Sequence, residues 1–221
     1  MTTFVHKLIA VVPPGDGPPD EIHSRVLRPP EWPGLKRYAA NLADLDQAPI
    51  GGGQPCAAAV LCLWLDETSA ALDWLEGLPA HAYRIDEKLQ WDYVRDWPLG
   101  RRSPGFNQIA FVVRRGDRTR AEFARHWDEV HGPLARRHHP GIWRYVQNVV
   151  SERLTRGAPD WDGFAELHFR SLEDFEQRYF DSERGREILR ADVAEFIDAP
   201  LGRRLLTSEY VIRVESAAET I

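Results

Sequence analysis

Cysteine is scarce in this sequence, and no long apolar run occurs in it. The 221 residues include two cysteines, Cys56 and Cys62. They are too few for a disulfide framework and are not spaced as a metal-binding pair. We therefore expect two reduced thiols and a cytoplasmic protein. No apolar segment approaches the roughly 20 residues of a membrane span, so we expect no membrane association.

Positive charge is also limited. The formal net charge is -6, and a mildly acidic chain lacks the basic surface by which proteins hold nucleic acid. We therefore expect no nucleic-acid partner. Tryptophan, by contrast, is frequent, with eight residues. Because tryptophan favours both cores and ligand pockets, these residues predict either an aromatic-lined cavity or a tryptophan-rich core.

The most informative feature is an internal repeat. Residues 33–41 and 140–148 both read Pro-Gly-x-x-Arg-Tyr-x-x-Asn. Five shared positions in nine indicate two copies of one structural unit. Strand-like segments flank each copy and recur at the end of each half. They are 4–12, 57–65 and 83–94 in the first half and 106–113, 163–169 and 205–214 in the second.

Helix signals complete the pattern. Residues 119–130 combine a capping box with one apolar helical face, and we expect Gly132 and Pro133 to end that helix. A second helix signal follows the strand-like segment at 57–65 in the first half and the one at 163–169 in the second. In the first half, a proline-rich stretch at 13–19 degrades the first helix.

Each half thus reads strand, helix, strand, strand, helix, strand, which is the ferredoxin-like pattern. The predicted fold class is α+β, with a degenerate repeat at 1–100 and a complete repeat at 101–221. Helices on one face of a four-stranded sheet leave the other face bare. We expect the two bare faces to cover each other and close one barrel within a single chain.

The second half carries several motifs in a fixed order. An aromatic-rich helix leads to His131-Gly132-Pro133-Leu134, and the repeated strand follows at 140–148. A Gly-x-Ala-Glu-Leu-x-Phe strand comes next at 163–169, then a segment at 192–198 and a final strand that contains glutamate. Over residues 106–214 these motifs resemble the EthD-domain family. The resemblance implies a dimeric α+β barrel, formed here from two repeats of one chain.

The activities that the resemblance implies are diverse. Some relatives are encoded with ether-degrading oxygenases, and others resemble decarboxylases and dehydratases that tailor aromatic polyketides. Neighbouring members of the superfamily include cyclases, cofactor-free monooxygenases and haem proteins. The fold does not decide among these activities.

Three residues of these motifs are the first candidates for catalysis. His131 ends the predicted helix, where the dipole favours an imidazolium. It is either a pocket residue or a helix cap, and the resemblance favours the pocket. Glu166 and His168 lie two apart on a strand and share one face with Phe164. We expect this face to line the barrel lumen, where the pair would transfer protons. The alternative is a solvated or salt-bridged polar face.

Tyr145 is the fourth catalytic candidate, as a group that polarises a substrate oxygen. Tyr145 and Asn148 are an odd number of residues apart, so a regular strand turns them to opposite faces. Tyr38 and Asn41 repeat them in the half that lacks His-Gly-Pro, and this repetition favours a structural role for both.

The candidates for substrate binding are mostly aromatic. Aromatic and apolar groups of the first half stand where the second half has polar groups, so we expect one working site per chain. The binding candidates are Trp143, Asn148, Phe164, Trp127, Trp64, Trp91 and Tyr38.

Neither a metal nor another cofactor is expected. His126 and His131 are five residues apart and so do not share a helical face, as ligands four apart would.

Together the candidates predict a cofactor-independent lyase or isomerase. It would decarboxylate, dehydrate or cyclise a hydrophobic aromatic small molecule of a catabolic or secondary-metabolite pathway. One alternative is a non-catalytic protein that binds such a molecule for a degradation operon. Another is an oxygenase, haem-dependent or cofactor-free. The chain is expected to be a monomeric pseudo-dimer or a homodimer.

Overall fold

The computed structural model of the chain describes residues 5–15, 19–29, 31, 33–44 and 55–214. Its first half runs strand, helix, strand, strand, helix, strand, as the repeat pattern predicts. The elements are β1 His6–Val12, α1 Pro19–Val26, β2 Leu35–Leu42, β3 Ala59–Leu65, α2 Ser69–Glu76 and β4 His81–Trp91.

The second half has the same strand order and more extensive helices. Its strands are β5 Phe106–Val112, β6 Ile142–Arg153, β7 Gly163–Phe169 and β8 Arg203–Val214. Its α-helices are α3 Arg120–His126, α4 Gly132–His138, α5 Leu172–Gln177 and α6 Glu183–Phe196, with a π-helix at Trp127–His131 and a 3-10 turn at Ala199–Leu201.

The eight strands of the described residues form one closed antiparallel barrel in the order β1-β3-β2-β8-β5-β7-β6-β4. Each repeat contributes four neighbouring strands, and the pairs β2–β8 and β4–β6 join the repeats. The predicted fold is therefore confirmed, since two ferredoxin-like repeats close a dimeric α+β barrel within one chain. Closure leaves no sheet edge between the repeats.

The alternation of side chains divides the core. One apolar cluster fills the barrel lumen and includes Ile9, Ile109 and Phe164. Two others lie outside the barrel, between the sheet and the helices of each repeat. Successive strand residues therefore face either the lumen or the helices.

The helix of residues 119–130 begins as the sequence predicts but does not end there. Thr119 accepts from the backbone N–H of Glu122, and the Glu122 carboxylate accepts from the N–H of Thr119. The prediction that Gly132 and Pro133 end the helix is wrong, because Gly132 keeps helical angles and α4 follows the π-helix directly. Proline is tolerated there because it lies in the first turn of α4, whose N–H groups need no α-helical partner.

None of the helices in the described part of the chain has the length and apolar content that crossing a bilayer requires.

Candidate functional site

A cleft of about 1360 Å³ lies between the sheet and the helices of the second repeat. Strands β5, β6 and β7 supply its floor, and the π-helix and α6 supply much of its wall. Its lining is largely apolar and aromatic, with a few polar side chains. Such a composition is typical of sites for small hydrophobic ligands.

The π-helix determines which side chains enter this cleft. A π-turn places residues five apart on nearly the same side, whereas an α-turn does so for residues four apart. His126 and His131 accordingly approach the same carboxylate, Asp192 of α6. Nε2 of His126 lies 2.8 Å from Asp192 Oδ1, and Nδ1 of His131 lies 2.7 Å from Oδ2.

His131 is arranged as a base. Its ring is buried and lines the cleft. Because Asp192 accepts the hydrogen bond from Nδ1–H, the neutral ring has its unprotonated nitrogen at Nε2. That atom has no hydrogen bond to any residue that the structure describes. Burial opposes the charge on Asp192, but hydrogen bonds from His131 and His126 outweigh it and hold the pKa of Asp192 below its ordinary value.

Tyr145 supplies a hydroxyl next to this histidine. Its ring centroid lies 6.4 Å from that of His131. The hydroxyl oxygen accepts from Trp127 Nε1 at 2.9 Å and from Gln147 Nε2 at 3.3 Å, which leaves its own hydrogen to be donated. Burial raises the pKa of Tyr145, so the phenol stays protonated and remains a donor.

Gly163 of β7 makes room for Trp127. A Cβ at this position would lie 2.4 Å from Cζ3 of the indole ring. The absence of a side chain at Gly163 therefore lets the Trp127 indole lie against β7, from where it donates to Tyr145.

A second polar group lies at the other side of the cleft. Nε2 of Gln108 donates to the Tyr179 hydroxyl at 3.2 Å. His139 hydrogen-bonds the backbone carbonyl of Tyr179, and burial lowers the pKa of His139 to about 4. The His139 ring is therefore neutral at physiological pH and acts as a donor that holds Tyr179 in place.

Glu166 and His168 face the barrel lumen, as predicted, on the opposite side of the sheet from the cleft. The Glu166 carboxylate accepts from Lys7 at 3.0 Å, from Asn148 at 3.0 Å and from Arg144 at 3.2 Å. Burial raises its pKa, but Lys7 and Arg144 outweigh burial and hold the pKa of Glu166 well below its ordinary value. All of these side chains are buried.

His168 belongs to the same lumen network. Its Nε2 donates to the carbonyl of Pro104 at 2.8 Å, and its Nδ1 lies 3.6 Å from Glu209 Oε2. Glu166 forms a buried ion cluster with Lys7 and Arg144, and Arg144 also lies 3.8 Å from Glu209, next to His168. The salt-bridged alternative that the sequence left open therefore describes it.

The expectation of one chamber shared by all four catalytic candidates needs correction. His131 and Tyr145 line the helix-side cleft, whereas Glu166 and His168 lie in the lumen, and the sheet separates the two pairs. The physical reason is that successive side chains of a strand point to opposite faces of the sheet. Tyr145 pairs with Leu167 on the neighbouring strand, so it faces away from the lumen side that Glu166 occupies.

The binding candidates divide in the same way. Trp127 lines the cleft, and Trp91 packs edge-to-face on Tyr145 at 5.1 Å. Trp64 and Phe164 face the lumen, and Asn148 bonds Glu166 there. Two candidates lie elsewhere: Trp143 joins Tyr93 and Trp97 beside His168, and Tyr38 donates to the Val26 carbonyl on the outer face of the first repeat.

Several polar groups of the cleft were missed in the sequence. Asp192 enters the sequence pattern only as part of a motif segment, and Gln108 and Gln147 carry no signal of their own. The spacing of His126 and His131 was the available clue. It excludes a shared α-helical face, but it fits a π-helix.

Comparisons with known proteins found a match to part of the second repeat. The family model described as the EthD domain matches residues 115–200, a range that contains His131, Tyr145 and Asp192. No curated protein matches the sequence.

Two solved structures share the fold over almost the whole chain. A protein described as anthrone oxidase-like superposes with a TM-score of 0.62 at 8% identity, covering 97% of each chain. A candidate monooxygenase from Fusobacterium nucleatum superposes with a TM-score of 0.54 at 9% identity, covering 96% of this chain and 93% of the other. At these identities the likeness concerns the fold.

Proposed function

We propose that this chain, a two-repeat α+β barrel whose residues 115–200 match the family model of the EthD domain, is an enzyme that removes a proton from a hydroxylated aromatic small molecule. The reaction takes place in the helix-side cleft, with His131 as the base. One observation carries the proposal: a buried histidine in an aromatic cleft is hydrogen-bonded to a carboxylate through Nδ1, while its Nε2 has no hydrogen bond to any described residue.

The first step can be derived from these positions. Nε2 of His131 takes a proton from an acidic C–H or O–H of the substrate, and the ring becomes an imidazolium. Asp192 holds the ring in place and stabilises its new charge. The electron pair left on the substrate moves towards an oxygen, where the Tyr145 hydroxyl donates a hydrogen bond to the developing oxyanion.

The fate of the deprotonated substrate defines the reaction class. As a lyase or isomerase, the enzyme would return the proton from the imidazolium to another atom after loss of a group or closure of a ring. This route needs no cofactor, and the cleft supplies its acid and its base. The buried, mostly apolar walls would protect the carbanion from premature protonation.

A second candidate is an oxygenase that uses the same first step. The names of the two fold neighbours, anthrone oxidase-like protein and candidate monooxygenase, favour it. In this route dioxygen is the co-substrate: it forms a C–O bond with the carbanion that His131 has generated. The resulting peroxide takes up a proton and loses water, which leaves a carbonyl group on the product. His131, Asp192 and Tyr145 keep the roles given above.

The test is a turnover assay with a panel of hydroxylated two-ring and three-ring aromatics, including anthrone. Oxygen uptake is followed with an electrode and products by mass spectrometry. Uptake supports the oxygenase, whereas conversion without uptake supports the lyase or isomerase. An absorption spectrum of the same sample distinguishes a haem-dependent oxygenase, which has a Soret band. Tight binding of a panel member without any conversion would contradict an enzyme and support a binding protein.

A further inference from the structure

The cleft is positively charged although the chain is acidic. The formal net charge of the sequence is -6, yet the described residues that line the cleft include four arginines and two aspartates. One of these aspartates, Asp117, is already paired with Arg115 through two contacts of 2.9 Å. The lining therefore has cationic side chains in excess of its own acidic partners.

Two of the four arginines have no partner among the residues that the structure describes. Arg190 follows the buried Leu189 on α6, and Arg204 lies opposite Ala110 of β5 on β8. Neither guanidinium makes a hydrogen bond or an ion pair within the described chain. Arg203, by contrast, donates to backbone carbonyls. Both residues are exposed and line the cleft, where a guanidinium without an acidic partner can bind a carboxylate.

The Tyr179 hydroxyl adds a hydrogen-bond donor to this side of the cleft. The Tyr179 hydroxyl accepts from Gln108 and keeps its own hydrogen for donation. Burial raises the pKa of Tyr179, and the nearby positive charge of Arg204 opposes that rise. Tyr179 and Arg204 both line the cleft, so the hydroxyl and the guanidinium offer donors to the same ligand.

The sheet sets the distance from this cationic side to the strand that carries Tyr145. Arg204, Gln108, Leu167 and Tyr145 belong to β8, β5, β7 and β6, which are consecutive neighbours in the barrel. Neighbouring strands are about 4.8 Å apart, so β5 and β6 are separated by roughly 10 Å and β8 and β6 by roughly 14 Å. The floor between the two ends is apolar, with Ala165 and Leu167.

We propose that the cleft binds an aromatic carboxylate of two or three fused rings. Its carboxylate lies at Arg190 and Arg204, and its hydroxylated end lies at His131 and Tyr145. This inference names the substrate class for the proposed function and rests on it for the orientation of the ligand. The carboxylate itself is recognised by groups that take no part in the proton transfer.

The test is calorimetric titration of the full chain with three probes. 6-Hydroxy-2-naphthoate carries its hydroxyl and carboxylate at opposite ends. Its methyl ester removes the charge, and 1-hydroxy-2-naphthoate places the two groups side by side. The wild type should bind 6-hydroxy-2-naphthoate about tenfold more tightly than either other probe, the order of one charge-assisted hydrogen bond.

Arginine variants test whether Arg190 and Arg204 cause the preference for the acid over the ester. Arg190→Gln and Arg204→Gln should each weaken binding of the acid severalfold, and together they should abolish its advantage over the ester. The matched control is Arg184→Gln on the same helix, because Arg184 pairs with Glu187 and does not line the cleft. This control should bind all three probes as the wild type does.

Three results would overturn the proposal: equal binding of acid and ester by the wild type, an unchanged preference in the double variant, or no binding of the acid at millimolar concentration. The readout is binding, so it is separate from turnover. His131→Gln should still bind 6-hydroxy-2-naphthoate more tightly than the ester, whereas the proposed function fails if that variant keeps full turnover.

Discussion

Nδ1 of His131 lies 2.7 Å from Oδ2 of Asp192, a residue 61 positions later in the chain. The π-helix that ends at His131 and the helix α6 that carries Asp192 bring the two together. This contact fixes the tautomer of the histidine and leaves Nε2 to face the cleft as an acceptor.

Without the Asp192 carboxylate, the tautomer of His131 should no longer be fixed. In Asp192→Asn the charge that stabilises the imidazolium is lost, and the amide no longer selects the Nδ1–H tautomer. We expect kcat/KM to fall by roughly 10² to 10⁴. Nitrogen-15 NMR of histidine should find the neutral His131 ring protonated at Nδ1 in the wild type and a mixture in the variant. An unchanged tautomer together with an unchanged rate would contradict this role.

His126 should matter less than Asp192. Its Nε2 bonds the other carboxylate oxygen at 2.8 Å, and its side chain is 23% exposed. His126→Gln keeps a donor at this position, and Asp192 still holds His131. We therefore expect kcat/KM to fall by less than about tenfold, since a partly exposed hydrogen bond contributes about 1 kcal/mol. A loss as large as that of Asp192→Asn would show that His126 takes part in the chemistry.

Tyr145→Phe tests the oxyanion donor. The variant should lower kcat by roughly tenfold to a hundredfold with little change in KM, because the hydrogen bond strengthens as charge develops. It should also lower the free energy of unfolding by about 1 to 3 kcal/mol, because Trp127 Nε1 loses its acceptor. Steady-state kinetics and urea unfolding measure the two effects.

The repeat provides a matched control for Tyr145. Tyr38 is its counterpart, and its hydroxyl donates to the Val26 carbonyl far from the cleft. Tyr38→Phe should lower the free energy of unfolding by a similar amount and leave kcat unchanged. If kcat falls in both variants, the effect of Tyr145→Phe comes from reduced stability of the fold and not from a lost oxyanion donor.

Glu166 should dominate the acid stability of the barrel. Its pKa in the folded protein lies well below the ordinary value of 4.5. The stability it contributes is therefore fully present above pH 4.5 and is lost as the pH falls below that value, because the unfolded chain then binds a proton that the folded chain resists. Unfolding measured from pH 7 down to pH 3 should show this loss in the wild type.

Glu166→Gln should remove most of that pH dependence. It should also lower the free energy of unfolding at pH 7 by about 3 to 5 kcal/mol, because Lys7 and Arg144 keep buried charges without their carboxylate. The exposed pair of Glu152 with Arg84 is the control, and Glu152→Gln should cost at most about 1 kcal/mol. If Glu166→Gln and Glu152→Gln lower the free energy of unfolding equally, Glu166 does not belong to a buried ion cluster.

The sequence was sufficient for the barrel because its signals are local or repeated. The matched segments around Tyr38 and Tyr145 indicated two copies of one unit. The alternation of side chains along a strand placed Glu166, His168 and Phe164 on one face. Each sheet also had one face without helices, so the two uncovered faces were expected to pack against each other. Each of these inferences needs only neighbouring residues and the alternation of a strand.

The site was harder to predict because its contacts are distant in sequence. Lys7 of the first repeat bonds Glu166 of the second, 159 positions away, and nothing in either segment indicates the pairing. The π-helix was missed because Gly132-Pro133 is typical of a helix end, although proline also begins helices. Once the π-turn is included, the five-residue spacing of His126 and His131 becomes the signal for a shared partner.

The most direct test of the cleft is a comparison of two histidines on opposite faces of one sheet. His131→Gln and His168→Gln are assayed for turnover of the same substrate at pH 7, with thermal unfolding as a check on the fold. We predict that His131→Gln loses at least a hundredfold in kcat/KM. We also predict that His168→Gln, which disturbs only the lumen network, keeps most of its turnover and has a lower Tm. Full activity in His131→Gln, or a selective loss in His168→Gln, would place the chemistry elsewhere.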